Sequence, residues 1–209
     1  MSAGLSTSRL VVAIDFVQPQ SYLAKAATYE LERDLGIDVD WLPTSVPPFP
    51  APAAPGEGDD RGTRHLRFRA QYLEQDLQRY AAAQGLVMRG LHRSCDSSLA
   101  GRGLLAVKSS APASVGDYLD RVFDGYWSET LDIEDAEAIG RVLESVGVSG
   151  PDLDLERRRD DYDDLRARLS EAGVIGAPTY LLDGEPFLGR AHLPMIRWLL
   201  QDRQGPQPI

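Results

Sequence analysis

Residues 11–26 read VVAIDFVQPQSYLAKA. An apolar, β-branched run from Val11 to Val17 stops at Gln18-Pro19-Gln20-Ser21, and an alanine-rich helical pattern follows. The run over 10–17 is short and bounded by Pro19, which suits a buried strand. From Ser21 onward Leu23, Ala27, Leu31 and Leu35 recur every four residues and form one apolar helix face, with Gly36 placed to stop it. Ile37, Val39 and Trp41 then alternate with Asp38, Asp40 and Leu42, a strand of period two. Such a βαβ unit has parallel strands and a right-handed crossover. Its polar corner falls at a helix N-terminus, where anions are readily held. Gln18 and Ser21 are therefore candidates for chemistry, and Ser21 also reads as the cap of the first turn.

Beyond this unit comes PTSVPPFPAPAAPGEGDDRGT, residues 43–63. Its Pro, Ala, Gly and Asp content builds no core, so 43–65 reads as a flexible loop, either a lid or a plain connector. Residues 66–172 read as wholly helical. Leu66, Leu73, Leu77 and Tyr80 share a face that ends at Gly85, and a short helix follows Asp96. Val115, Leu119, Val122, Phe123 and Tyr126 make a second stripe. Asp135 is placed to cap a helix carrying Ile139, Val142, Leu143 and Val146, closed by Gly147. Tyr162, Leu165 and Leu169 mark a last, highly charged helix, and the run ERRRDDYDD around it reads as a solvated face. After Gly173, PTYLL, Asp183-Gly184 and EPFL read as a hairpin with a type I′ turn, followed by a helix over 191–201. The two ends, 8–45 and 173–203, thus form one small mixed sheet with its helices, and 66–172 is an insertion between them.

Composition narrows the function. The chain has 209 residues and a formal net charge of −10, which argues against nucleic acid and against an anionic membrane surface. The single cysteine, Cys95, excludes an internal disulfide and a cysteine-based zinc site, and reads as a small buried filler. The three histidines, His65, His92 and His192, show no metal-ligand spacing, so no metal is expected. With no long apolar stretch, the expectation is a soluble, cytoplasmic protein acting on a small molecule.

The order of elements is that of an α/β, thioredoxin-like fold (βαβ…ββα) with a large all-helical insertion. The chain resembles the DsbA-like superfamily, and within it the branch of 2-hydroxychromene-2-carboxylate isomerases and kappa-class glutathione transferases. The resemblance rests on DFVQPQSYLA (15–24), RAQYLEQDLQRYAAAQGL (69–86), CDSSLAGRGLLAVK (95–108) and AGVIGAPTYLLDGEPFLGRAHLPMIRWLL (172–200). Redox members carry Cys-x-x-Cys at the start of the first helix. Those two positions are Gln18 and Ser21 here, so no thiolate forms at either and dithiol chemistry is excluded. Glutathione-dependent members place Ser at the first position; Gln18 offers a carboxamide that donates hydrogen bonds but is neither base nor nucleophile.

The resemblance further implies a cis peptide bond at Ala177-Pro178, leaving the backbone of Ala177 to pair with an extended, peptide-like ligand such as glutathione. An acidic residue that meets the γ-glutamyl amine in the branch falls near Ala191 and is absent. Arg190 could bind a ligand carboxylate or be a surface arginine, His192 could face the cleft, and Arg69 or Arg67 stands where a cofactor-binding Lys would be. Dimers are frequent in the branch, which leaves a homodimer open, although no interface shows in the periodicity. Two functions stay open: a glutathione-dependent isomerase or transferase of small aromatic or electrophilic substrates, and a non-catalytic module that binds a peptide or small acid. A third label, DsbA-like oxidoreductase without its dithiol, describes descent more than activity.

Overall fold

The computed structural model of the chain describes residues 5–52, 54, 56 and 60–208. The first strand, β1 (Leu10–Ile14), pairs in parallel with β2 (Val39–Pro43), joined by helix α1 (Pro19–Leu35). Gly36 takes the left-handed conformation that ends α1, at φ 61°. The chain returns to the sheet as β3 (Thr179–Leu182) and β4 (Glu185–Leu188), giving the order β2-β1-β3-β4. Asp183 and Gly184 both have positive φ, as a two-residue I′ turn requires. Between the halves lie α2 (Arg61–Ala83), α3 (Ser98–Ser110), α4 (Val115–Trp127), α5 (Ala136–Ser145) and α6 (Arg159–Glu171). Asp135 caps α5 as its position foretells, accepting from Glu137 N at 2.9 Å. A single 3₁₀ turn, Arg190–His192, precedes the closing helix α7 (Leu193–Leu200), so that helix starts two residues later than its pattern suggests.

The helical insertion has no separate core. Phe16 and Tyr22, from the first corner, pack on Phe123 of α4 at ring-centroid distances of 4.9 and 5.5 Å, and Tyr22 also stacks on Trp127 at 6.2 Å. Burying each such side chain contributes about 1.5–3 kcal/mol. Lys25 of α1, buried, pairs with Asp120 and Asp124 of α4 at 2.7 and 3.2 Å, which fixes the angle between sheet layer and insertion. On the other face of the sheet, α6 lays Leu165 and Leu169 on Val11, Ala13, Leu42 and Leu181.

Two expectations are corrected. Helix α2 begins at Arg61, inside the stretch 43–65 read as loop, where Asp60 caps it by accepting from Thr63 N at 2.7 Å. Its apolar face is also shorter than the spacing implies. Leu77 and Ala81 are buried, but Leu66 is 65 % exposed and Tyr80 42 %. The helix overhangs, so only its C-terminal turns reach α1, where Gln84 Nε2 donates to Leu23 O at 3.3 Å. The near half of the 43–65 stretch is tied down as well. Phe49 is buried and stacks on His92 at 5.6 Å between centroids. Residues 53, 55 and 57–59 of that stretch lie outside the described residues.

Candidate functional site

Antiparallel pairing of β1 with β3 runs from Leu10↔Leu182 to Ala13↔Thr179. The residues just past that last pair are the corner Asp15–Gln18 on one chain segment and Ala177-Pro178 on the other. Corners some 160 residues apart therefore meet side by side, and the Ala177-Pro178 bond is cis. Pro178 O accepts from Gly189 N at 2.8 Å, while the N–H and C=O of Ala177 enter no hydrogen bond among the described residues. Thr179 Oγ1 donates to Gly176 O at 2.7 Å and holds the turn before the proline.

Pro19 is the first residue of α1, which makes Gln18, not Ser21, the capping position. The Gln18 side chain does not cap. Its Nε2 donates instead to Pro47 O at 2.6 Å, and the residue is 7 % exposed. Ser21 is fully buried, and its Oγ accepts from Asp15 N at 3.3 Å, so the expected first-turn cap is corrected to a brace beneath the corner. Pro19 has no N–H, and Ser21 N and Tyr22 N both donate to Gln18 O. The amide of exposed Gln20 is left as the first-turn donor without a partner among the described residues. An anion at this corner would meet that N–H and the positive end of the helix.

Below the corner, Asp15 is fully buried. Its carboxylate oxygens accept from Val17 N at 3.2 Å and Val46 N at 2.9 Å. Burial nevertheless pushes its pKa above the ordinary carboxylate range, against the pull of its donors. Sequence reading missed this residue: an Asp in an apolar run one turn before a helix was the available signal, since a lone buried acid must find donors.

Arg190 lies half-buried one residue past Gly189, with its guanidinium 4.0 Å from the centre of the Tyr80 ring. No carboxylate pairs with it among the described residues, whereas Arg197, seven residues on, pairs with Asp34 at 2.9 Å. His192 is exposed and tilts against Phe187 at 5.9 Å. Arg69 stands exposed on the overhanging half of α2 with no hydrogen bond or ion pair to the corner. The structure thus brings Gln18, Ser21, Ala177 and Pro178 together, ties the segment before Arg190 to them through Gly189 N and Pro178 O while the Arg190 guanidinium lies over Tyr80, and leaves Arg69 apart. Cys95 is half-buried beside Glu134, and burial followed by that carboxylate pushes its thiol up to about 12. Among the described residues there is no group of three or more His, Cys, Asp or Glu able to hold a metal, and no helix is long and apolar enough to cross a membrane.

A βαβ half and a ββα half sharing one sheet, with a cis proline facing the start of the first helix, define a thioredoxin-type protein carrying a helical insertion. The chain belongs to the DsbA-like thioredoxin domain family, whose model matches residues 9–201. It is 27 % identical over 190 residues to a 2-hydroxychromene-2-carboxylate isomerase of Pseudomonas putida, covering 87 % of this chain and 89 % of that one. A solved 2-hydroxychromene-2-carboxylate isomerase superposes with a TM-score of 0.67 at 22 % identity, covering 92 % of this chain and 94 % of its own. The cytosolic disulfide reductase DsbM of Pseudomonas aeruginosa, solved with glutathione, superposes with a TM-score of 0.60 at 16 % identity, covering 93 % and 98 %.

Proposed function

We propose that the chain is a glutathione-dependent isomerase or transferase of small electrophilic substrates. The observation that carries this reading is the meeting of the Asp15–Gln18 corner with the cis Ala177-Pro178 corner. The residues present suit an anionic, peptide-like thiol. Ala177 has unpaired backbone groups, Gln20 N–H sits at the positive end of α1, and Arg190 is a cation in want of a carboxylate. Bound glutathione would supply a thiolate able to add reversibly to an unsaturated carbonyl. The protein's share is to bind and orient: Ala177 pairs with the peptide backbone, α1 holds negative charge at the sulfur, and Arg190 anchors a carboxyl end. The kinship with isomerases and the DsbM complex with glutathione support the class. A reducing cytosol would supply the thiol.

A thermal-shift titration with glutathione tests it. Saturation at a hundred times Kd adds about 2.7 kcal/mol to stability. Arg190→Leu is expected to raise Kd about tenfold, the size of one charge-assisted bond. An unmoved melting curve at millimolar glutathione removes the reading. A second reading, a binding module without catalysis, is favoured by Gln18 itself, whose amide is committed to Pro47. Binding of glutathione without turnover of 2-hydroxychromene-2-carboxylate or a related unsaturated carbonyl would select it.

A further inference from the structure

We propose that residues 44–47 form a movable strap along the Asp15–Gln18 corner, the one that faces the cis proline, and that Gln18 is its latch, a positioning residue rather than a ligand-binding one. Three consecutive bonds lay the strap along the corner. Thr44 N donates to Ile14 O at 2.8 Å, Val46 N to Asp15 Oδ2 at 2.9 Å, and Gln18 Nε2 to Pro47 O at 2.6 Å. Phe49, stacked on His92, fixes the far end to the helical layer. With the strap in this position Gln18 is 7 % exposed, and on the facing corner Ala177 is 5 % exposed and Pro178 buried. A ligand that is to pair with Ala177 needs this corner opened, and on this proposal the strap is the part that moves.

The strap has room to move. Its outer side forms one wall of an open cleft of about 490 Å³, whose opposite wall is Val174, Ile175 and, on α6, Arg166 and Ser170. Ile175, two residues before Ala177, is 79 % exposed there. Two of the three bonds that hold the strap end on side chains, Asp15 and Gln18, so swinging it into the cleft leaves the sheet ladder whole. A side chain of glutamine's length with a donor at its tip reaches from the helix cap to the Pro47 carbonyl, and serine, the residue at this position in glutathione-dependent relatives, is too short for that span. That accounts for a carboxamide at a position where neither acid–base nor nucleophilic chemistry could use it.

The gating role rests on the glutathione reading; the latch does not, and the test separates them. Amide hydrogen exchange at Val46 is measured in the wild type, in the near-isosteric Gln18→Met, and in Ile175→Trp, which fills the cleft without touching the latch. Exchange is expected to rise about fivefold to tenfold in Gln18→Met, the loss of one hydrogen bond, with α1 amides unchanged. It is expected to fall in Ile175→Trp. Glutathione association, followed by stopped flow, should quicken and slow in the same order. Unchanged Val46 exchange in both variants overturns the strap. Altered exchange with equal association rates overturns the gate. Altered exchange with no glutathione binding in any variant leaves the strap standing and removes the glutathione reading alone. Should Gln18→Met not fold, Ile175→Trp carries the same exchange test, and unslowed exchange there overturns the proposal.

Discussion

Thr28 and Tyr180 meet in the core, hydroxyl to hydroxyl, at 2.7 Å, joining α1 to β3. Thr28 Oγ1 already donates to Ala24 O at 2.9 Å, so it accepts from the tyrosine. That polarity makes the two deletions unequal. Tyr180→Phe leaves Thr28 bonded and should cost about 1 kcal/mol, whereas Thr28→Val strands a buried phenol donor and should cost about 1–3 kcal/mol. Urea denaturation of both variants checks the order.

Gly103 on α3 has no room for a side chain. An added Cβ would meet the hydroxyl of Tyr118, which is fully buried and donates to Ala100 O at 2.8 Å. Gly103→Ala therefore has to push Tyr118 off its bond and is expected to destabilise by about 1–3 kcal/mol, despite the better helix propensity of alanine. Gly140 on α5 faces open space, and Gly140→Ala should stabilise by about 0.5–1 kcal/mol.

Asp15 gives a pH signature. Its folded pKa is raised by burial, so the folded state holds its proton to higher pH than the unfolded chain does. Stability contributed by Asp15 is thus fully present below the ordinary carboxylate range and is lost as pH rises through the unfolded value toward the folded one. The stability of the wild type relative to Asp15→Asn should fall over that window and level off above it. Denaturant midpoints from pH 3 to 8 measure this; a difference that grows with pH would contradict the buried placement.

Cys95 should be slow to label. With its thiol pushed up to about 12, about 10⁻⁴ of it is thiolate at pH 8, and reaction with iodoacetamide should run roughly a thousandfold slower than for a free cysteine. Alkylation at the free-thiol rate would place the side chain away from Glu134.

Dithiol chemistry should be absent. Neither Gln18 nor Ser21 carries sulfur, and Cys95 is alone. Insulin reduction in the presence of dithiothreitol should proceed at the background rate.

Periodicity made the elements flanking each corner legible, because strands and helices that bury one face must repeat at 2 or 3.6 residues, while the cis proline and its meeting with the first corner were implied by the resemblance to the DsbA-like family. β1, α1, β2, the Asp183-Gly184 hairpin and the Asp135 cap all came from such local rules. What failed locally was decided at long range. Leu66 follows the apolar spacing of α2, yet it stays 65 % exposed among the described residues. Phe49 sits in a proline-rich run with no period, and its burial depends on His92, forty-three residues away. Asp15 needs Val46, and Gln18 needs Pro47, partners that spacing does not name. Ser21 is the exception, a local one: Pro19 favours the first helical position and so points to Gln18 as the capping residue.

Because Phe16 and Tyr22 interleave with Phe123 and Trp127, the sheet layer and the helical insertion should melt as one body. Excising 66–172 to make a minimal thioredoxin would bare these rings to water, so the remainder should aggregate instead of standing alone. The same knitting ties the cleft's shape to α4, and a substitution there reaches the corner through stacked aromatics without touching any ligand.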